Sequence, residues 1–397
     1  MRALPHWIRA YVEYTSGQEA PEPYHYWTAM SVISTALRKQ IWKDRGIYLL
    51  YPNLYVIVVG PSGDKKSTAL RCGKKLLDTL NPTVKIFNGK ITGPEVVIKR
   101  MSKNQIDGKS CLLLFASELS NMINVEVIKR TFAQFISEVY DADDKFEYIR
   151  MGGDDYTIVE PYVTILGAST ANWIEEAIPT KQVGGGFTSR IIFVQDKLSK
   201  RRLVPFPERA ITQENIALRK KLITDLAQIA SLKGVYSWGK GAEDWFDPFY
   251  AATAVESEKR SAEDGYYARK ADLVIKLAMI IGCAKRDALT IEVEDLQEAK
   301  QEIEKQEKSR AELLTGLSAT EEGANILYVR EIIAQHSHDT ENGMSHSDLV
   351  RDVQSRMNAS TLRPIIFSLK EGNIIEEKVT GEGRPGPVGR YYRSILQ

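Results

Sequence analysis

The first chemical signal is a spacing: Gly60, Lys66 and Ser67 in the stretch LYVIVVGPSGDKKSTAL. A glycine-rich turn that leaves an apolar strand and opens a helix presents successive backbone N–H groups to a phosphate. The lysine ammonium then bridges the outer phosphates, and the hydroxyl after it ligates magnesium. The residues of that cradle are Gly60, Pro61, Ser62, Gly63, Asp64, Lys65, Lys66, Ser67 and Thr68. Lys65 stands where such loops carry glycine, which asks nothing of the backbone if the residue is already helical. The plainer reading is a Gly/Pro/Ser/Asp turn ahead of an exposed basic helix.

Hydrolysis needs more than a cradle, and three later apolar runs each end in a suitable group. SCLLLFASEL ends in Ser117 and Glu118, an acid placed to activate water, with Ser67, Ser117 and Glu118 as candidate magnesium ligands. Glu118 also reads as the cap of the next helix. PYVTILGASTANW ends in small hydroxyl residues and Asn172, which could orient water between Glu118 and a terminal phosphate. VGGGFTSRIIFV places Ser189 and Arg190 at the mouth of a fourth strand. An arginine ahead of its strand faces the sheet edge away from its own loop, so it suits a neighbouring subunit's phosphate. Its bland alternative is a structural ion pair.

As an ordered set, GPSGDKKS, LLLFASEL, VTILGAST and GGGFTSRIIFV resemble the AAA+ ATPases of phages and mobile elements related to minichromosome-maintenance helicases. YYARKADLVIKLAMIIGCAKRDALTIEVEDLQEA is similar to the lid helices of that family, so the resemblance spans about residues 25 to 305. It implies an α/β fold: a P-loop core with a parallel sheet between helices, followed by a helical lid. It implies Thr170 as sensor 1, Arg269 as sensor 2 and Arg190 as arginine finger, with Lys66 and Glu118 catalytic and ATP and Mg2+ as cofactors. A finger that works in trans implies a homo-oligomer, a hexamer by the same resemblance. The implied function is a ring-forming, ATP-dependent DNA helicase for phage or mobile-element replication. Two alternatives stay open: a non-unwinding initiator or loader that uses ATP as a switch, and a DNA-binding regulator with a degenerate ATPase fold. Three departures stand out. Lys65 replaces glycine, Ser117 replaces the usual aspartate, and only about fifty residues precede the first core strand, too few for the family's oligonucleotide-binding domain.

Around these motifs the chain reads as four regions: a helical collar over 1–50, the ATPase core over 51–205, a helical lid over 206–315 and a winged helix-turn-helix over 322–397. In the last, helices ANILYVREIIAQH, SHSDLVRDVQSR and NASTLRPIIFSLKEGN, the third capped at Ser360, precede two strands around a Gly/Pro-rich tip. KFEYIRMGGDDYTIV reads as a hairpin whose Lys145 and Arg150 could touch DNA phosphates. KQEIEKQEKSRAELL reads as a solvated helix face, and TGLSATEEGAN as a linker.

Composition sets the remaining bounds. The 397 residues carry 53 basic and 52 acidic side chains, so DNA contact requires a local basic patch. Arg363, Lys370, Lys378, Arg384, Arg390 and Arg393 supply one, although winged helices also bind proteins. Three scattered cysteines argue against a disulfide framework, and no apolar run is long enough to cross a bilayer, so a cytoplasmic location without membrane contact is expected. His336, His338 and His346 lack a fourth metal ligand nearby and read as a polar loop.

Overall fold

A computed structural model describes residues 2–141, 144–149, 155–178, 186–196, 203–259, 265–318, 321–336, 343–354, 357–372, 374–380 and 389–394. The chain divides into two compact units, Met1–Leu313 and Leu314–Gln397.

The first unit is an α/β body built on a five-stranded sheet. Its strands are β1 (Tyr55–Val59), β2 (Ile86–Phe87), β3 (Cys111–Ala116), β4 (Tyr162–Ser169) and β5 (Ile191–Val194). They lie in the order β2-β3-β4-β1-β5, every pair parallel. Every residue of β1, β3, β4 and β5 is buried, as expected for parallel strands covered by helices on both faces. The two-residue edge strand β2 has no sequence signal of its own. Tyr55 pairs with both Ile165 and Ile191, so the carboxyl ends of the strands open on one rim and the amino ends on the other.

The expected collar is instead part of this body. Helices α1 (Trp7–Thr15) and α2 (Glu22–Leu37) bury Trp7, Tyr11 and Trp27 in the core that the sheet and the lid residues share. Trp7 Nε1 donates to the Leu222 carbonyl at 2.8 Å. Helix α3 (Lys66–Leu77) runs close under α2 at Gly73, where a Cβ would lie 2.4 Å from Thr28 Cγ2. The helical reading also overran. Helix α2 ends at Leu37, Arg38 turns to φ 51°, and Ile41–Asp44 is a strand. That strand pairs in parallel with Gly234–Trp238, which itself pairs with Thr290–Ile291. The partner is distant in sequence, so local periodicity cannot reveal it.

Four helices follow the core: Gln213–Ala230, Ala242–Lys259, Tyr266–Lys285 and Val293–Ser318. Apolar residues from these helices join the common core rather than a separate lid domain. The charged helix Val293–Ser318 is not solvated all round. Gln306 and Arg310 are buried, and Arg310 donates to the carbonyls of Thr188 at 2.9 Å and Ile191 at 3.2 Å.

Lys145–Tyr148 and Tyr156–Val159 form the expected antiparallel hairpin; Arg150 lies outside the described residues. The second unit contains helices Glu321–His336, His346–Val353 and Ala359–Glu371. Its sheet has three strands, because Met344–Ser345 adds to Ile375–Thr380 and Gly389–Ser394. The third helix is capped by Asn358, whose Oδ1 accepts from Thr361 N at 3.0 Å, with Ser360 one residue inside. The expected linker contains helix up to Ser318 and again from Glu321.

Candidate functional site

The turn after β1 is held from three sides. At its start, Gly60 N donates to Ser169 O at 3.2 Å, tying the turn to the tip of β4. Beneath it, Tyr24 of α2 donates to Asp64 Oδ2 at 2.7 Å. A Cβ on Gly60 would meet that hydroxyl at 2.6 Å, so glycine is required by close approach. At its end, Lys65 Nζ pairs with Glu19 Oε2 at 3.0 Å.

Lys65 is not helical, as the sequence reading supposed. It sits in the left-handed region at φ 56° and ψ 17°, where a side chain costs roughly 1–2 kcal/mol. The expected result for Lys65→Gly is therefore a gain of about 1 kcal/mol in urea unfolding, reduced only slightly by loss of the half-exposed pair to Glu19. A loss of similar size would show that the Glu19 contact outweighs the backbone strain.

Lys66 is buried, and its ammonium donates to the carbonyls of Gly60 at 2.7 Å and Pro61 at 2.6 Å. It is folded over the loop that it would share with an anion. Burial pulls its pKa down, and the carboxylates of Glu118 and Asp64 partly restore it. Ser67 Oγ donates to Ser117 O at 2.9 Å, which joins the helix start to the tip of β3. Burial raises the Glu118 carboxyl, with Lys66 pulling it back. Glu118 precedes a short helix but makes no capping hydrogen bond, so its carboxylate is not committed to that alternative role. A cleft of about 410 Å³ opens beside it, lined by Arg71, Lys74, Lys75, Asn88 and Ser117 among others.

Thr170 follows β4, which lies between β3 and β1, so its place is between Glu118 and the loop. Its hydroxyl accepts from Trp173 N at 3.4 Å and caps the helix Ala171–Ala177; Asn172 is exposed in that first turn. Gly60–Thr68, Ser117, Glu118 and Thr170 thus gather on the carboxyl rim, where open parallel sheets bind ligands.

The two arginines gather on the other rim. Register places Arg190 level with Leu54, six residues before Gly60, hence about 20 Å from the loop along the strand. Its guanidinium is largely buried, donates to the Gly186 carbonyl and pairs with Asp141 Oδ2 at 2.7 Å. Arg269 was expected to sense the same phosphate as Thr170. It stands instead beside Arg190, with NH1 3.4 Å from Asp141 Oδ1. Sequence reasoning missed Asp141, which carries no motif and lies between the helix Ala133–Tyr140 and the hairpin.

Compared with known proteins, the chain matches no protein-family model and no curated protein.

Beneath the arginines, Lys276 is buried: its Nζ donates to Asn53 Oδ1 at 2.7 Å and lies 3.7 Å above the Tyr140 ring. Burial lowers its pKa to about 7, against the opposing pull of Asp141 and Asp272 and with Arg190 and Arg269 adding to the depression. Between about pH 7 and the ordinary lysine value the folded chain therefore binds fewer protons here than the unfolded chain, and wild-type stability gains with rising pH in that window. Lys276→Met removes this contribution. The expected outcome is that the variant's Tm relative to wild type falls between pH 7 and pH 9; a difference independent of pH would contradict the depressed value.

The residues expected to touch DNA lie partly in the hairpin of the first unit and partly in the second unit. Lys145 pairs with Glu147 at 2.5 Å, and Arg150 and Arg384 lie outside the described residues. In the second unit, Lys370 and Arg390 both face Glu377, the latter at 3.9 Å. With Arg363 they line a cleft of about 800 Å³. Lys378 and Arg393 alternate onto the opposite face of the sheet, since Lys378 pairs with Tyr391 and Glu376 with Arg393. His336 Nδ1 lies 3.0 Å from Ile332 O and His346 Nδ1 3.0 Å from Tyr392 OH; His338 is outside the described residues. Among the described residues no helix is long and apolar enough to span a membrane.

Proposed function

We propose that this protein is an AAA+-type ATPase of the minichromosome-maintenance kind, assembled head to tail, that moves or unwinds DNA. The observation that carries the reading is a division of one reaction's parts between two rims. Lys66, Ser67 and Glu118 share the carboxyl rim, whereas Arg190 and Arg269 share the amino rim about 20 Å away. No single chain joins these halves, but a heterologous contact between copies does.

In this reading the loop N–H groups and Lys66 bind the β- and γ-phosphates. Lys66 leaves the Gly60 and Pro61 carbonyls, which presently take its protons, for phosphate oxygens of opposite charge. Ser67 and Glu118, with Ser117 alongside, form a hard oxygen set that suits Mg2+, an ion content with one or two protein oxygens and several waters. When bound, that ion neutralises charge on the phosphates. Glu118, with its basicity raised by burial, accepts a proton from the attacking water, and Thr170 and Asn172 orient that water. Arg190 and Arg269 of the adjoining copy stabilise charge on the transferred phosphoryl group.

An exposed apolar side chain is linked through its neighbours to each half. Ile47 (97% exposed) is next to Tyr48, whose hydroxyl binds Asp272, one helical turn from Arg269. Leu203 (73% exposed) adjoins Val204, whose N–H binds the same Glu19 that holds Lys65.

The DNA part rests on the second unit, read as a winged helix with the Arg363–Lys370–Arg390 cleft as its contact. The hairpin favours a second reading. Its Lys145 is neutralised by Glu147, which suits a loader that uses ATP as a switch better than a motor that grips DNA. Steady-state ATPase with and without single-stranded DNA, alongside strand displacement, tests both. Strong stimulation with displacement supports the motor, binding with slow unstimulated turnover supports the switch, and no ATP binding removes both.

A further inference from the structure

We propose that Asp141 is a built-in competitor for the phosphoryl group, holding Arg190 and Arg269 until a second copy delivers its nucleotide. The inference rests on the shared-site reading above and adds to it a control on when the arginines become available.

One carboxylate bridges the two guanidiniums, with Oδ2 2.7 Å from Arg190 NH2 and Oδ1 3.4 Å from Arg269 NH1. That is the contact a phosphoryl group would make, since carboxylate and phosphate oxygens accept from the same fork of donors. Arg190 has little else to offer. Its NH1 donates to the Gly186 carbonyl, its Nε is buried and has no hydrogen-bond partner among the described residues, and its side chain is only 7% exposed. The donor that an incoming anion needs is the one Asp141 occupies.

Exposure says from where that anion arrives. Asp141 is 51% exposed and Arg269 40%, so the open side of the cluster is the carboxylate side. A phosphoryl group placed there meets an aspartate at hydrogen-bond range of the same donors, and like charges at that distance repel. Either Asp141 rotates away or the anion stays out. Rotation is available. Asp141 follows the last turn of the helix Ala133–Tyr140, and among the described residues the hydrogen bonds of its carboxylate are those to the two arginines. The platform below stays behind when it leaves: Asn53 Nδ2 donates to the Tyr140 carbonyl at 2.7 Å, and Tyr140 packs edge-on against Tyr55 at 4.9 Å. The arginines are thereby held in the isolated chain and released by assembly around nucleotide.

The test uses the full chain as wild type, Asp141→Asn, Asp141→Glu and the double variant Asp141→Asn/Arg190→Ala. Two quantities are read against protein concentration: ATP turnover, and assembly by sedimentation with a non-hydrolysable ATP analogue. With the competing charge removed, Asp141→Asn is expected to reach half-maximal assembly and turnover at about fivefold lower protein concentration, with an undiminished plateau rate. Asp141→Glu keeps the anion and the wild-type dependence, and the double variant loses the assembly shift because its beneficiary is gone. An Asp141→Asn protein that melts like wild type but shows an unshifted concentration dependence, or a lower plateau, overturns the proposal. Wild type that hydrolyses no ATP at any concentration overturns the shared-site reading instead; the analogue-driven assembly shift then decides for or against Asp141 on its own.

Discussion

Arg190→Ala is expected to lower steady-state ATP turnover by roughly a thousandfold or more while nucleotide binding persists. The loop proposed to bind phosphate lies on the opposite rim from Arg190, so removing the guanidinium leaves Lys66 and its surroundings untouched. What disappears is the group that would neutralise charge on a neighbour's phosphoryl, an effect that grows as the reaction proceeds and so falls on kcat. Arg190→Lys should recover little, because an ammonium lacks the planar fork that serves two oxygens at once. The measurement is a coupled ATPase assay beside equilibrium binding of a fluorescent nucleotide, with thermal melting to confirm folding. Turnover within tenfold of wild type would leave Arg190 a structural ion pair, as the bland reading supposed, with Asp141 as its partner.

Glu118→Gln is expected to cost between a hundredfold and ten-thousandfold in kcat and to trap bound ATP in stable assemblies. Glutamine keeps the shape and loses the basicity, and Glu118 makes no capping hydrogen bond whose loss could confuse the result. Because burial holds the Glu118 carboxyl above its ordinary value, wild-type turnover should decline on acidification before the usual carboxylate range is reached. The residual activity of the glutamine variant should lack that decline. A variant with near wild-type turnover would move the base elsewhere, with Asp64, the other carboxylate whose charge acts on Lys66, as the next candidate.

What the sequence makes legible follows from physics that is local. The strands around Val56, Leu113 and Leu166 announce themselves because parallel strands buried on both faces are unbroken apolar runs. The tips follow directly, since each polar residue closing such a run must lie on the carboxyl rim. Features set by distant partners are illegible. Ile41–Asp44 becomes a strand only because Gly234–Trp238 passes beside it, overriding a helical pattern. Arg310 reads as one more charge on a solvated helix until the Thr188 and Ile191 carbonyls turn out to need a donor. Arg269 carries a position in a motif but no indication of which rim it serves; Asp141, which has no motif, decides that. The left-handed backbone at Lys65 is likewise hidden, because the favourable residue there would be glycine.

The central claim is that one site is completed by two copies, and mixing two inactive variants tests it most directly. Lys66→Ala removes the loop lysine and Arg190→Ala the opposite rim, so each protein alone should be inactive. Equal amounts, allowed to exchange subunits, should recover about a quarter of wild-type turnover, since one interface in four pairs an intact loop with an intact arginine. A mixture that exchanges subunits and stays as inactive as its components would contradict the account.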